Sequence, residues 1–220
     1  MKKMLLAALV TVASFGSASA QTYPSRPITV IVPSAAGGPT DTLTRILTER
    51  MAVTLGQPFI IENQGAAGGS IAVGRVARAA SDGYTASIGQ WGNFVLNAAI
   101  YPLTYDLLKD FEPVAWVASN PQLIVSKNAM PAKTLNELIA WLKANPGKAS
   151  QGTAGAGSPA HVAGLYFQKL TGTKFGFVPY RGAAPAMQDL LAGQIDLLFD
   201  QASNSLAHVL AGKIRAYAVT

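Results

Sequence analysis

The sequence predicts an α/β protein of two lobes, each a mostly parallel sheet flanked by helices. Short apolar runs such as Ile28–Val32 and Ile195–Phe199 alternate with stretches of helical periodicity. Continuously apolar strands joined through helices belong to parallel sheets covered on both faces. The alternation falls into two blocks, before about Gln90 and after about Asp110, separated by a looser segment. No internal repeat relates the two blocks.

Ile28–Val32 reads as a buried strand and Pro33–Gly38 as a turn. Pro39 suits the first position of a helix, where its missing N–H is not needed. Leu43, Ile46, Leu47 and Met51 give that helix an apolar stripe, and Gly56 ends it. Pro58–Ile61 is a second strand, Gln64–Ser70 a glycine-rich turn feeding a small-residue helix to Ala80, and Tyr84–Ile88 a third strand. Phe111–Ala118 and Leu123–Val125 also read as strands. Thr134-Leu-Asn-Glu137 is a capping box, in which the Thr accepts from a free amide and the Glu reaches back. It opens a helix with the stripe Leu138, Ile139, Trp141 and Leu142, stopped by Asn145-Pro146-Gly147. A strand near Gln151, a helix over Ser158–Leu170 and a strand over Phe175–Tyr180 follow. A helix from Pro185 to Leu191, the strand Ile195–Phe199, a helix from Asn204 to Leu210 and the strand Ile214–Val219 complete the order. Trp116 and Trp141 are core residues by pattern. The sequence stops at Thr220 directly after a strand, which reads as a truncated chain or an incomplete first lobe.

Lys2 and Lys3, the apolar stretch Met4–Phe15 and the small-x-small triplet Ala18-Ser19-Ala20 form a secretory signal over residues 1–20. The mature chain is expected to begin near Gln21, in the periplasm. Without Lys2 and Lys3 the chain has 15 basic against 11 acidic residues, a net +4. These charges are scattered, and nucleic-acid binding needs a clustered basic face. The chain has no cysteine, which excludes thiol catalysis and thiolate metal sites. GxxxxGK[ST], GxGxxG and GxSxG are absent, and no His/Asp/Glu cluster suggests a metal. The expectation is a protein with no cofactor, no metal and no catalytic residues.

Three strand-to-helix turns carry the chemistry: Pro33–Asp41, Asn63–Ser70 and Gly152–His161. Each places free amides at the positive end of a helix, where glycine permits close approach and an oxyanion is favoured. His161, in a helix first turn, can donate to a ligand or serve structure; His208 is structural or exposed. Arg181 can pair with a ligand carboxylate or make a surface or interlobe ion pair. Asp200, at a strand's carboxyl end, can accept from a ligand amine or hydroxyl or cap the next helix. Asp41 is expected to answer the helix dipole, and Trp91 is the aromatic candidate for the cleft.

These motifs resemble those of the solute-binding receptors of tripartite tricarboxylate transporters, the Bug family. The matching runs include Tyr23-Pro-Ser-Arg-Pro-Ile28, Ala36-Gly-Gly-Pro-Thr-Asp41, Glu62-Asn63 with Gly65-Ala-Ala-Gly-Gly69, and Ala80-Ser-Asp-Gly-Tyr84. Lys109-Asp-Phe-Glu-Pro-Val114, Gly155-Ala-Gly-Ser-Pro-Ala-His161, Val178-Pro-Tyr-Arg-Gly182 and Asp189-Leu-Leu-Ala-Gly-Gln-Ile-Asp196 continue the match. The resemblance implies a two-lobe periplasmic binding fold of type II, closing on its ligand by a hinge. Residues 21–103 would form the first lobe and 104–220 the second, the last strand returning toward the first. It implies a monomer that carries a small carboxylate (a di- or tricarboxylate, an amino acid or an aromatic acid) to a membrane permease, and is not an enzyme. A sensor that presents its ligand to a histidine kinase is the alternative. Together the turns and the resemblance nominate Ser34, Ala36, Gly37, Gly38, Gly68, Gly69, Ser70, Gln90, Trp91, Thr153, Ala154, Ser158, His161, Arg181 and Asp200 as ligand-binding. Ser34, Gln64 and Gln90-Trp91 depart from the family's usual residues. The family also extends further at its C-terminus.

Overall fold

Burial alternates along the central strands of the second half, with Ile124, Leu197 and Phe199 on one side of a sheet and Val125 and Leu198 on the other. Both sides are therefore apolar and both must be covered. The computed structural model describes residues 22–220, and the proposed signal segment lies outside them. Two sheets organise these residues. The first has the parallel order β2-β1-β3, from β1 (Ile28–Val32), β2 (Phe59–Asn63) and β3 (Thr85–Ser87). The second has the order β6-β5-β7-β4-β8, from β4 (Gln122–Lys127), β5 (Ser150–Thr153), β6 (Gly176–Pro179), β7 (Leu197–Gln201) and β8 (Ile214–Val219). Strands β5, β6 and β7 are parallel, and β4 runs antiparallel to both β7 and β8.

Helices fill the connections: α1 (Pro39–Leu55), α2 (Ser70–Ala77), the short α3 (Asn97–Ile100), α4 (Leu135–Ala144), α5 (Pro159–Thr171), α6 (Ala183–Leu191) and α7 (Ala202–Leu210). On one face of the second sheet Leu138 and Leu142 of α4 join Ile124, Phe175, Leu197 and Phe199, with Trp141 half-buried against them. On the other, Ala186, Met187 and Leu190 of α6 join Val125, Ile195, Leu198 and Ile214. The first bond of the capping box holds, Thr134 Oγ1 accepting from the Glu137 amide at 3.2 Å, while the Glu137 carboxylate reaches one residue further back and accepts from the Lys133 amide at 2.7 Å. Helix α1 starts at Pro39 and ends at Gly56, whose φ of 67° is the left-handed geometry that favours glycine.

Four expectations are corrected. First, the buried ridge of α1 is Thr40, Asp41, Thr44 and Thr48, while Ile46 is exposed and Leu43, Leu47 and Met51 are half-buried. The Thr44 and Thr48 hydroxyls donate to the carbonyls of Thr40 and Thr44, at 2.7 and 2.8 Å, so burial leaves them paired. Second, residues 111–118 form no strand, because among the described residues no neighbour pairs with them. Trp116, on that segment, is 83% exposed and not core. Third, β8 does not return toward the first sheet: it lies at the edge of the second, Leu123 opposite Val219. Fourth, the loop after β3 holds a π-helical turn, Gly92–Leu96, running straight into α3.

Leu138 is completely buried where α4 meets the sheet. Leu138→Ala is expected to destabilise the protein by about 2–5 kcal/mol, the range for a buried leucine whose cavity cannot collapse. Denaturant unfolding followed by circular dichroism measures it, and a loss under about 1 kcal/mol would mean that the site repacks.

Candidate functional site

The turns after β1, β2 and β5 face one another where the two sheets meet. Main chain approaches main chain there. A side chain at Gly182 would meet Ala35 Cβ at 2.7 Å and Ala35 N at 3.0 Å, and one at Gly65 would collide with the Arg181 carbonyl. A side chain at Gly92 would strike Pro159, and one at Gly157 would strike Ile100. The Tyr101 hydroxyl donates to the Ala156 carbonyl at 3.3 Å. The two halves are thus closed on each other.

Between them lies a small cavity of about 50 Å³. Its wall takes Ser34, Ala35, Gly38, Pro39, Thr40 and Gln90 from the first half. The second half supplies Gln122, Ala154, Ser158, Pro159, Ala160, Ala183, Phe199, Asp200 and Gln201. Three helices present their first residues here, α1, α5 and α6, and α7 presents the residue before its start, Gln201. Of these, α5 is capped by the Ser158 side chain, which accepts from the His161 amide; α1, α6 and α7 have no side-chain cap. The Ser34 hydroxyl is buried on the same wall with no hydrogen-bond partner among the described residues. Pro39 and Pro159 bring no amide, and the Ala202 amide already donates to the Pro121 carbonyl at 2.9 Å, so the helix dipoles and the first-turn amides that remain favour a negative group.

The nominated residues divide. Ser34, Gly38, Gln90, Ala154, Ser158 and Asp200 line the cavity, and Gln90 Nε2 donates to Thr40 Oγ1 at 2.9 Å. Ala36 and Gly37 are exposed, and the Gly37 amide already donates to the Asp41 carboxylate at 2.8 Å. Burial alone would raise the Asp41 carboxyl, but Arg45 and the Gly37 amide hold it below its ordinary value. Asp41 thus ties the turn before its own helix to that helix's start, without capping it. Gly68, Gly69 and Ser70 stand away from the wall: Gly68 faces Tyr101 and Ala156, and Gly69 backs onto Pro33. Thr153 is buried behind the turn, its Oγ1 3.4 Å from the Gly155 amide. Trp91 is 49% exposed and off the wall. Arg181 is exposed and forms no ion pair among the described residues; its carbonyl, not its guanidinium, meets the other half.

Asp200 stands near the carboxyl end of β7. It lines the cavity, and it accepts from Asn204 Nδ2 at 2.8 Å and from the Ser205 hydroxyl inside the first turn of α7. Burial pushes its carboxyl above the ordinary value, with Ser205 and Asn204 opposing. His161 makes a structural bond: its Nδ1 accepts from the Gly157 amide at 3.1 Å, which fixes a neutral ring protonated on Nε2. Burial lowers its pKa below the ordinary 6.5.

Sequence reasoning missed Ala35, Pro39, Thr40, Pro159, Ala160, Ala183, Phe199, Gln122 and Gln201. Pro39 and Pro159 were legible as helix starts but not as wall. Gln122 carried no signal, because its place follows from the antiparallel pairing of β4 with β7, which sets it opposite Gln201.

A family model described as "Tripartite tricarboxylate transporter family receptor" matches residues 43–220. The chain belongs to this family. The resemblance read from the motifs is borne out, and the family is one of receptors rather than enzymes. A UPF0065 protein from the TAR-I ttuE-ttuC' intergenic region of Agrobacterium vitis is 42% identical over 199 residues, covering 90% of this chain and 57% of its own length. This receptor chain therefore spans little more than half of that relative. The structure of the periplasmic binding protein BugD superposes with a TM-score of 0.86 at 40% identity, over 90% of this chain and 66% of that one. MatC from Rhodopseudomonas palustris, with bound malate, gives a TM-score of 0.84 at 39% identity, over 90% of this chain and 67% of its own. The two-lobe periplasmic binding fold is thereby established. No helix among the described residues of the receptor is long and apolar enough to cross a membrane.

Two outcomes follow from the geometry. Gly182 has extended backbone that any residue adopts, so Gly182→Val should fold normally and clash only across the cleft. The chain has no cysteine, so dyes at Val53→Cys and Leu210→Cys, both exposed positions, report the distance between halves. Energy transfer should fall in Gly182→Val; an unchanged value would show that the Ala35 contact does not hold the halves together. The second outcome concerns pH. The unfolded chain protonates histidine near the ordinary 6.5, whereas folded His161 resists protonation to lower pH. Stability is therefore insensitive above that value and falls as the pH drops below it. His161→Gln should lose less melting temperature than the parent between about pH 7 and about pH 5. Asp200 titrates in both proteins and drops out of the difference; parallel losses would count against a neutral His161.

Proposed function

We propose that this receptor captures a small carboxylate in the periplasm, in the cleft between residues 21–103 and residues 104–220, and passes it to a tripartite tricarboxylate-type membrane permease. The observation that carries the reading is the meeting of two helix starts without a side-chain cap, those of α1 and α6, with the buried and unpartnered Ser34 hydroxyl. Amides at helix starts bind an oxyanion without a counter-charge. The cleft wall has no lysine or arginine, so backbone supplies the positive field. Ser34 and Gln90 donate from the first half, Ser158 and Gln201 from the second, and Asp200 reads a hydroxyl or amine on the ligand. The malate held by MatC is a ligand of this chemistry. Hinge closure over the ligand uses the connection through residues 101–121, and capture needs one copy of the chain.

Thermal shift against a panel of small mono-, di- and tricarboxylic acids and their amides tests the reading. At least one acid should raise the melting temperature and its amide should not, since only a ligand of the native state stabilises it. Gly38 carries no positive φ and its added Cβ would meet nothing closer than 3.4 Å, so Gly38→Val leaves the turn intact while screening its amides. It should weaken binding of that acid about tenfold or more, about 1.4 kcal/mol. Equal shifts from an acid and its amide would refute the reading.

A further inference from the structure

Gln201, the last residue of β7, lines the cavity. Its carboxamide has an acceptor on one side and two donors on the other, so it reads a ligand in one of two opposite senses. Which sense it takes is decided from outside the wall.

Asn120 Nδ2 donates to Gln201 Oε1 at 3.2 Å and to the Ser203 hydroxyl oxygen at 2.6 Å, which uses both its protons. With its oxygen so occupied, the Gln201 carboxamide has Nε2 as its free end. Asn120 itself is exposed and stands off the cavity wall. It is next to last in the connection through residues 101–121, and the carbonyl of the following Pro121 accepts from the Ala202 amide at 2.9 Å. Three bonds therefore tie the end of that connection to residues 201–203. Gln122 continues from it into β4, stands opposite Gln201 and lines the same cavity.

We propose that Asn120 is a positioning residue which, by occupying Gln201 Oε1, turns the Gln201 amide donor-first into the cleft and makes the cleft select a carboxylate over the corresponding amide. A carboxylate has acceptors on both oxygens, so it takes a proton from Gln201 Nε2 and from a helix-start amide at once. A ligand carboxamide has an acceptor on one side only. Whichever way it lies, its NH2 meets a donor, and the group left unpaired weakens binding. With Gln201 turned over, Oε1 would accept from that NH2 and repel a carboxylate. One exposed residue outside the cavity thus sets which of two nearly isosteric ligands fits, by opposing the wrong one. This inference rests on the carboxylate reading above and adds the residue that sets its selectivity.

Sodium malonate, succinate, L-malate and citrate, each beside its neutral amide, are the probes in thermal-shift titrations of the full chain, which give apparent affinities. The parent should prefer at least one acid over its amide by about tenfold or more. Asn120→Asp replaces the donor with an acceptor, which turns the Gln201 carboxamide over. That variant should lose about tenfold of the acid-over-amide preference, and Asn120→Leu, which only releases the carboxamide, should lose less. A new negative charge beside the cleft weakens acids by itself, so Asn120→Asp is also made in Gln201→Leu. There the preference should change by no more than about twofold, because the effect runs through Gln201. A parent that no acid stabilises, or that acid and amide stabilise equally, defeats the carboxylate reading and this inference with it. A parent that prefers the acid, with an Asn120→Asp variant that keeps the whole preference, overturns the role of Asn120 alone. So does a loss of equal size in the Gln201→Leu background.

Discussion

Main chain meeting main chain across the cleft is the constraint on which the rest of the structure depends. Gly65, Gly92, Gly157 and Gly182 stand where a single methyl group would strike the opposite half, and two of the four obstacles are backbone or begin at it. Side chains can rotate out of the way; carbonyls and Cα atoms in fixed turns cannot. The glycine richness of the three turns therefore has two causes. Gly37, Gly68, Gly69, Gly155 and Gly157 have positive φ and serve the turn itself. Gly65 and Gly182 have backbone angles open to other residues and serve the contact.

Capping is distributed in a matching way. Helix α4, far from the cleft, closes its first turn with Thr134 and Glu137, and α5 closes part of its own with Ser158. Helices α1, α6 and α7 begin at Gly38, Gly182 and Gln201 with no such closure. A missing cap costs a helix about 1 kcal/mol. That cost recurs at the cleft and is avoided at α4. Asp41 and Asp200 bring negative charge to the same region, yet each is spoken for, by Gly37 and Arg45 or by Asn204 and Ser205.

Much of this was legible. Strand and helix order followed from local patterns, because Ile28–Val32 and Ile214–Val219 are apolar runs between turns and Pro39, Gly56 and Thr134 punctuate helices by their own chemistry. The failures share a different origin. Residues 111–118 have a strand's composition but no partner, and pairing is not a local property. The apolar stripe of α1 pointed to Ile46, whereas the helix buries its threonines, since hydroxyls bonded to the preceding turn pass as apolar. Asn120 looks like a loop residue in sequence; only folding sets it against Gln201. Strand ends located six of the fifteen residues of the cavity wall, and Gln122 entered it through an antiparallel register that no periodicity reveals.

The threonine ridge of α1 divides the protein into unequal materials. The second sheet is bonded on both faces by leucine, isoleucine and phenylalanine, while the first rests a long helix on Thr40, Thr44 and Thr48 around a few residues such as Ile31, Val32 and Val73. Methyl-sized contacts exclude little water per residue, so α1 adds less to the first sheet than α4 and α6 add to the second. Anything that bridges the two halves lends the weaker one the solidity of the stronger. On the proposed function, a ligand held between the halves would anneal them, setting the softer wall against the harder.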